Sequence, residues 1–142
     1  MLVVVTLVSL LVQIYSIAYM KGHVRYGRYF AYVNLFTFSM LLLVVASELV
    51  QFFVGWELVG LSSYLLISFD FERPAAADAG RKAFLTTRVG DLGMYLGLLV
   101  VFNYLGTFNI PMLQCIVATP GHPAWVLTAV PLLLFLGAVG KS

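Results

Sequence analysis

The residue that demands a chemical account first is Glu57. It lies within FFVGWELVGLSSYLLISF, residues 52–69, a run that is otherwise free of charge and long enough to cross a bilayer. At 1.5 Å per residue, about 20 residues span the hydrocarbon layer, so no simple choice of rotamer brings Glu57 to bulk water. An unpaired acidic side chain at that depth costs on the order of 3 kcal/mol. Glu57 must be hydrated, paired or protonated. Two readings stand: a group that takes up and gives up protons, or a static acid hydrogen-bonded to a neighbouring helix. Intramembrane ionisable groups favour the first.

Four further charges fall inside or at the edge of apolar runs. Arg88 and Asp91 are three residues apart, which puts them on one face of a helix and lets them neutralise each other. Within the apolar boundary, removing one member strands the other. A structural ion pair and a part in proton movement are both open. Lys141 follows LLLFLGAVG near the end of the chain, and spacing alone has it snorkel to the membrane interface. Glu48, at the far end of another apolar run, reads as a solvated residue near the membrane surface.

The elements that must position these groups follow from composition. Of the 142 residues, 62% are hydrophobic and only 10% charged, far outside the range of a soluble domain. The charges sit in short clusters between long apolar runs, so the chain is all-α and polytopic, a transmembrane bundle of about five helices. Their expected spans are residues 2–20, 29–48, 51–69, 83–105 and 124–142, forming a single transmembrane region over residues 1–142. The first residues lack the basic start and small-residue cleavage site of a signal peptide and read as a retained helix.

A net charge of +2, with the basic residues at membrane edges, argues against nucleic acid as a partner. Cys115 is single, which leaves no disulfide framework and no thiol metal site. His23 and His122 have no partner at ligand spacing, and both read as interfacial polar residues. The sequence carries no nucleotide-binding glycine fingerprint, no haem or iron–sulfur cysteine pattern and no nucleophile elbow. No cofactor is expected on this chain.

In the first helix Thr6, Ser9, Gln13 and Ser16 fall on one face at about 100° per residue and should look into the bundle. The hydroxyls could equally bond back to their own helix, but Gln13 could not. The second helix carries Asn34 and Thr37. Between Asp70 and Lys82 the sequence becomes DFERPAAADAGRK, with six charges in thirteen positions. Pro74 argues there for a loop with a short helical segment at most. Gly90, Gly93 and Gly97 strip one flank of the fourth helix for close contact. Residues 106–123, broken by Pro111, Pro120 and Pro123, leave room for a short amphipathic helix. Pro131 should kink or hydrate the fifth spanning helix.

The connectors after the first and third helices are basic, and those after the second and fourth contain no Lys or Arg. Positive charge favours the cytoplasmic side, so the N-terminus lies outside and the last helix ends on the cytoplasmic side.

On YSIAYM, YFAYVNLFTFSMLLLV, GWELVGLSSYLLISF, ERPAAADAGRKAFLTTRVGD and GAVGKS, the chain resembles subunit L of respiratory complex I and its mitochondrial counterpart. These are antiporter-like subunits shared with Mrp cation/proton antiporters. The resemblance covers nearly the whole chain, and the ERP and RKAF forms resemble bacterial members. It implies a fragment, the third through seventh helices of a longer subunit built as an antiporter-like inverted repeat. It implies that Glu57 is the central glutamate of the family's fifth helix, and Lys141 the lysine of its seventh. That helix is broken just beyond the lysine, which would place Lys141 in the bilayer middle beside Glu57 and reverse the reading from spacing. Arg88 and Asp91 match the TRVGD pair, whose acid serves proton transfer or communication with a neighbouring subunit.

The implied function is proton translocation as a membrane subunit of an NADH:quinone oxidoreductase, in the bacterial inner membrane, with no redox centre in this chain. NADH, flavin, iron–sulfur clusters and quinone would belong to partner subunits, and the partners would include a neighbouring antiporter-like subunit and lipid. An Mrp-type antiporter subunit and a non-transporting membrane scaffold are the competing readings.

Overall fold

The computed structural model describes residues 1–119, 121 and 123–141. Pro120, His122 and Ser142 lie outside the described residues, and with them the expected break at Pro120, the interfacial role of His122 and the helix end at Ser142. The described residues form six helices: α1 Leu2–Tyr19, α2 Tyr26–Val45, α3 Leu49–Ile67, α4 Pro74–Leu105, α5 Ile110–Ala118 and α6 Ala124–Lys141. All except α5 are long and apolar enough to cross a membrane. The chain is an all-α polytopic membrane bundle.

The largest departure from expectation is α4. Its 32 residues begin at Pro74, nine positions ahead of the expected start at Ala83, so the stretch expected as a loop is mostly helix. Proline at the first helical position gives up a backbone N–H that has no intrahelical acceptor anyway, and its fixed φ already suits the helix. The run of alanines that follows is the best helix former available. At 1.5 Å per residue α4 is about 48 Å long, longer than the hydrocarbon layer. Its charged first turns therefore extend beyond the apolar zone, which reconciles their polarity with a helical backbone. At its other end Gly106, at φ 67°, closes the helix in the left-handed region.

α2 ends at Val45 instead of reaching Glu48. Residues 46–48 meet the link between α4 and α5, where the Leu49 amide donates to the Phe108 carbonyl at 2.8 Å and the Ile110 amide to Ser47 at 3.1 Å. Glu48 is exposed and forms a short backbone bridge with Asn109. Asn109 caps α5, its side chain accepting from the Met112 amide at 3.0 Å. At the opposite end of the bundle Arg25 reaches Asp70 and Glu72 of the other basic connector and lies 4.4 Å from the centre of the Phe71 ring. The two basic connectors thus meet at one end and the two without Lys or Arg at the other, as charge placement requires.

Along α1 the polar face does look into the bundle. Ser9 and Thr37 share a 2.6 Å hydrogen bond, the Gln13 amide donates to Asn34 at 2.9 Å, and Ser16 lies 3.1 Å from the Tyr29 hydroxyl. Thr6 departs from that face and bonds back to the Leu2 and Val3 carbonyls. The rest of α1 presents exposed Val3, Leu7, Leu11 and Ile14, an arrangement suited to lipid or further helices and not to water.

The most extensive packing is between α4 and α6. Here the glycines act by absence: a Cβ on Gly90 would lie 2.8 Å from the Gly140 Cα, one on Gly137 would lie 2.9 Å from the Met94 Cβ, and one on Gly97 would lie 3.2 Å from the Leu133 Cβ. Without a hydrophobic drive between helices in lipid, such close backbone approach supplies the van der Waals contact that holds them. Pro131 sits within α6, which continues through it to Lys141.

Substituting Gly90→Leu in the full-length polypeptide should therefore cost about 1–3 kcal/mol through overpacking. Gly27→Ala, in α2 with nothing within 4 Å of the added Cβ, should be neutral or slightly stabilising. Thermal unfolding in detergent distinguishes the two, and equal melting temperatures would contradict the close α4–α6 contact.

Candidate functional site

Helix α3 turns a different face to each of three neighbours. Gly55 lets the α2 backbone approach, since a Cβ there would lie 3.0 Å from the Leu43 Cα. Phe53 and Glu57, four apart, face α4, where Phe53 lies 6.2 Å from Tyr95 between ring centres. Trp56 and Gly60, also four apart, face the end of α6, and a Cβ on Gly60 would lie 3.6 Å from the Lys141 Nζ. Four apart on a helix is one face, so these pairings follow from sequence spacing once the neighbours are known.

Glu57 is paired with Arg88, whose Nη1 contacts Oε2 of the carboxylate. The same Nη1 lies 3.7 Å from Oδ2 of Asp91. Arg88 thus stands between two carboxylates, one from α3 and one from its own helix, with its guanidinium 4.6 Å from the centre of the Phe84 ring. The expected Arg88–Asp91 contact exists but is the longer of the two. Asp91 is the most buried of these charges, with its side chain 4% exposed, against 25% for Glu57 and 31% for Arg88. Its Oδ1 accepts a 2.7 Å hydrogen bond from the Trp56 indole, whereas Oδ2 has no hydrogen-bond partner among the described residues. Glu57, Arg88 and Asp91 line a cavity of about 320 Å³ together with Phe53, Leu85 and Tyr95.

Lys141 reaches the middle of α3. Its Nζ donates to the backbone carbonyl of Trp56 and sits 4.5 Å from the centre of the Trp56 ring. Trp56 is the eighth residue of the nineteen in α3, so the ammonium lies level with the middle of that helix and not beyond its end, where spacing alone put it. α6 packs antiparallel to α4, which brings the Lys141 ammonium to a carbonyl and a ring face of α3. The family resemblance implies Lys141 beside Glu57; its ammonium reaches the carbonyl of the preceding residue, Trp56, and no ion pair joins Lys141 to Glu57 among the described residues. Arg88 holds the Glu57 carboxylate instead, and a guanidinium suits that task because it can serve two acceptors at once.

The residue that sequence reasoning passed over is Trp56. A tryptophan in an apolar run has no signal beyond hydrophobicity and one N–H. The only hint available was its place directly before Glu57 on a helix with glycine four residues on.

What fold and site define is a membrane-embedded helix bundle with an intramembrane cluster of two acids and two bases. Residues 46–142, which contain all four charges, match the transmembrane family described as NADH:quinone oxidoreductase/Mrp antiporter, and the chain belongs to that family. Residues 1–30 match the N-terminal family of NADH-ubiquinone oxidoreductase (complex I) chain 5.

Among relatives, a chloroplast NAD(P)H-quinone oxidoreductase subunit 5 of Chlorokybus atmophyticus is 50% identical across all of this chain and 23% of its own length. An NADH-quinone oxidoreductase subunit L of Neisseria meningitidis is 49% identical across all of this chain and 23% of its own. An NADH-ubiquinone oxidoreductase chain 5 of Chondrus crispus is 45% identical across all of this chain and 22% of its own. The chain therefore spans about a fifth of the length of the curated relatives it matches.

Because Arg88 faces two carboxylates, Arg88→Met should destabilise the assembled protein by about 3–5 kcal/mol, the cost of leaving buried charge unpaired. Adding Glu57→Met should recover part of the loss by removing one of the stranded acids. Denaturant unfolding of the full-length polypeptide in detergent checks both, and a double variant less stable than the single one would contradict the pairing.

Proposed function

We propose that this chain is part of a proton-translocating membrane subunit of an NADH:quinone oxidoreductase, in which Glu57, Arg88, Asp91 and Lys141 transfer protons and couple charge. The observation that carries the reading is the gathering of these four residues around one tryptophan at mid-depth of α3. The names of the relatives agree with it, all being quinone oxidoreductase subunits of this type. The chain binds no redox cofactor in this reading. NADH, flavin, iron–sulfur clusters and quinone belong to partner subunits, with a neighbouring antiporter-like subunit among them. The location is a bacterial inner membrane.

The physics of the proposal is competition for the Glu57 carboxylate. Opposite charges about 4 Å apart attract by roughly 4 kcal/mol at an effective dielectric near 20. A membrane potential of about 200 mV opposes each moved charge by roughly 4.6 kcal/mol. One pair thus operates on the scale required with nothing to spare, and several coupled sites must act together. In the described arrangement Glu57 is with Arg88 and Lys141 is with Trp56, so the Glu57–Lys141 pair is apart. Bringing Lys141 to Glu57 requires loosening one grip or the other, and each such exchange changes which group holds a proton.

In the full-length protein within its complex, Glu57→Gln should lower the protons translocated per NADH oxidised while leaving assembly intact. Acidification of vesicles driven by NADH measures it. Unchanged pumping supports a scaffold, and acidification driven by added sodium in place of NADH supports an Mrp-type antiporter.

A further inference from the structure

We propose that Trp56 is a positioning residue that ties the bases and acids of the cluster into one unit, through its indole N–H on Asp91 and its carbonyl and ring face on Lys141. The proposal rests on the proton-translocation reading above. It concerns a residue that carries no charge and exchanges no proton.

Three contacts converge on this single side chain and its own peptide. The indole Nε1 donates to Asp91 Oδ1 at 2.7 Å. The Lys141 ammonium donates to the Trp56 carbonyl and lies 4.5 Å from the ring centre. Glu57, the next residue in the chain, is held by Arg88, which also faces Asp91. The Asp91 contact belongs to α4, the Lys141 contact to α6, and Trp56 itself to α3. α3 and α6 are not among the helix pairs that pack extensively, so Trp56 supplies a polar link that bulk packing between those two helices does not.

The local sequence permits this geometry. A carbonyl in mid-helix already faces the amide four residues on, here Gly60, and a second donor can reach it only from the side. Gly60 leaves that side open, with Nζ 3.6 Å from where its Cβ would be. The indole is held by Phe52, stacked at 5.8 Å between ring centres, so its N–H edge and its face have fixed directions. An ammonium on the face of tryptophan is attracted by the ring quadrupole, and a carboxylate on the N–H edge accepts a charge-assisted hydrogen bond. Edge and face therefore address groups of opposite charge. A displacement of α3 that shifts Glu57 also shifts the anchors of Asp91 and Lys141, so the four charges move as a set.

The test uses the full-length subunit in its complex, with NADH-driven proton translocation in membrane vesicles as the readout. Trp56→Phe keeps a ring face and removes the N–H. It should slow translocation about tenfold, the factor that one lost charge-assisted hydrogen bond supplies, and should shift the infrared carboxylate band assigned by its loss in Asp91→Asn. In the Asp91→Asn background the same substitution should add less than about twofold, because contacting residues couple non-additively. Gly60→Val, which crowds the ammonium while leaving Trp56 intact, should also slow translocation, whereas Gly60→Ala should not. It provides the test should Trp56→Phe fail to assemble.

Parent rates and an unmoved carboxylate band in Trp56→Phe, or a full tenfold loss repeated in Asp91→Asn, would overturn the tie. So would parent rates in Gly60→Val. Glu57→Gln run alongside separates the causes. If it is impaired while Trp56→Phe and Gly60→Val are not, the tie alone fails. If Glu57→Gln pumps normally, the translocation reading fails and takes the tie with it.

Discussion

Two carboxylates and one guanidinium inside a helix bundle impose the constraint that the remaining structure must meet. An acid with no counter-charge at mid-depth costs several kcal/mol, and a buried pair repays its desolvation only when the geometry is good and the remaining lone pairs are satisfied. Arg88 meets Glu57 and leans towards Asp91, and the Trp56 indole takes one oxygen of Asp91. α3 and α4 therefore cannot slide or rotate independently. Their relative register is fixed by a polar contact whose loss would strand charge on both helices.

The glycines of α4 and α6 serve that constraint from the other side. Close contact at Gly90, Gly93, Gly137 and Gly140 brings the last turn of α6 against the middle of α4. From there the ammonium of Lys141 extends to Trp56. A bundle held apart by larger side chains would leave Lys141 too far from α3 to share its environment. Packing that looks purely structural thus sets the distance between the base and the acids.

The polar contacts between α1 and α2 differ in kind. Ser9 with Thr37, Gln13 with Asn34 and Ser16 with Tyr29 pair neutral groups, and bonds of this type in membranes average about 0.6 kcal/mol. They set rotation of α1 at little electrostatic cost and leave its other faces apolar. The connectors complete the arrangement: Arg25 clamps the two basic links at one end, and a backbone bridge joins the two links without Lys or Arg at the other.

The residues alone determined the membrane class, the number of spanning helices and which connectors share an end of the bundle, because apolar length and charge placement are local properties that lipid reads directly. Partner choice was not local. Arg88 and Asp91 at spacing three suggested a mutual pair, yet Arg88 found Glu57 first, since a residue on another helix can approach head-on where one on the same helix must bend back. Lys141 at the end of an apolar run looked interfacial by itself. Only the antiparallel packing on α4 placed its ammonium beside Trp56, level with the middle of α3. Pro74 read as a helix breaker, but whether a proline breaks or begins a helix depends on what the preceding backbone does, and the fold placed it at the first turn. Trp56 was invisible for the same reason: a neutral aromatic becomes a junction only when an acid from one helix and a base from another arrive at its edge and its face.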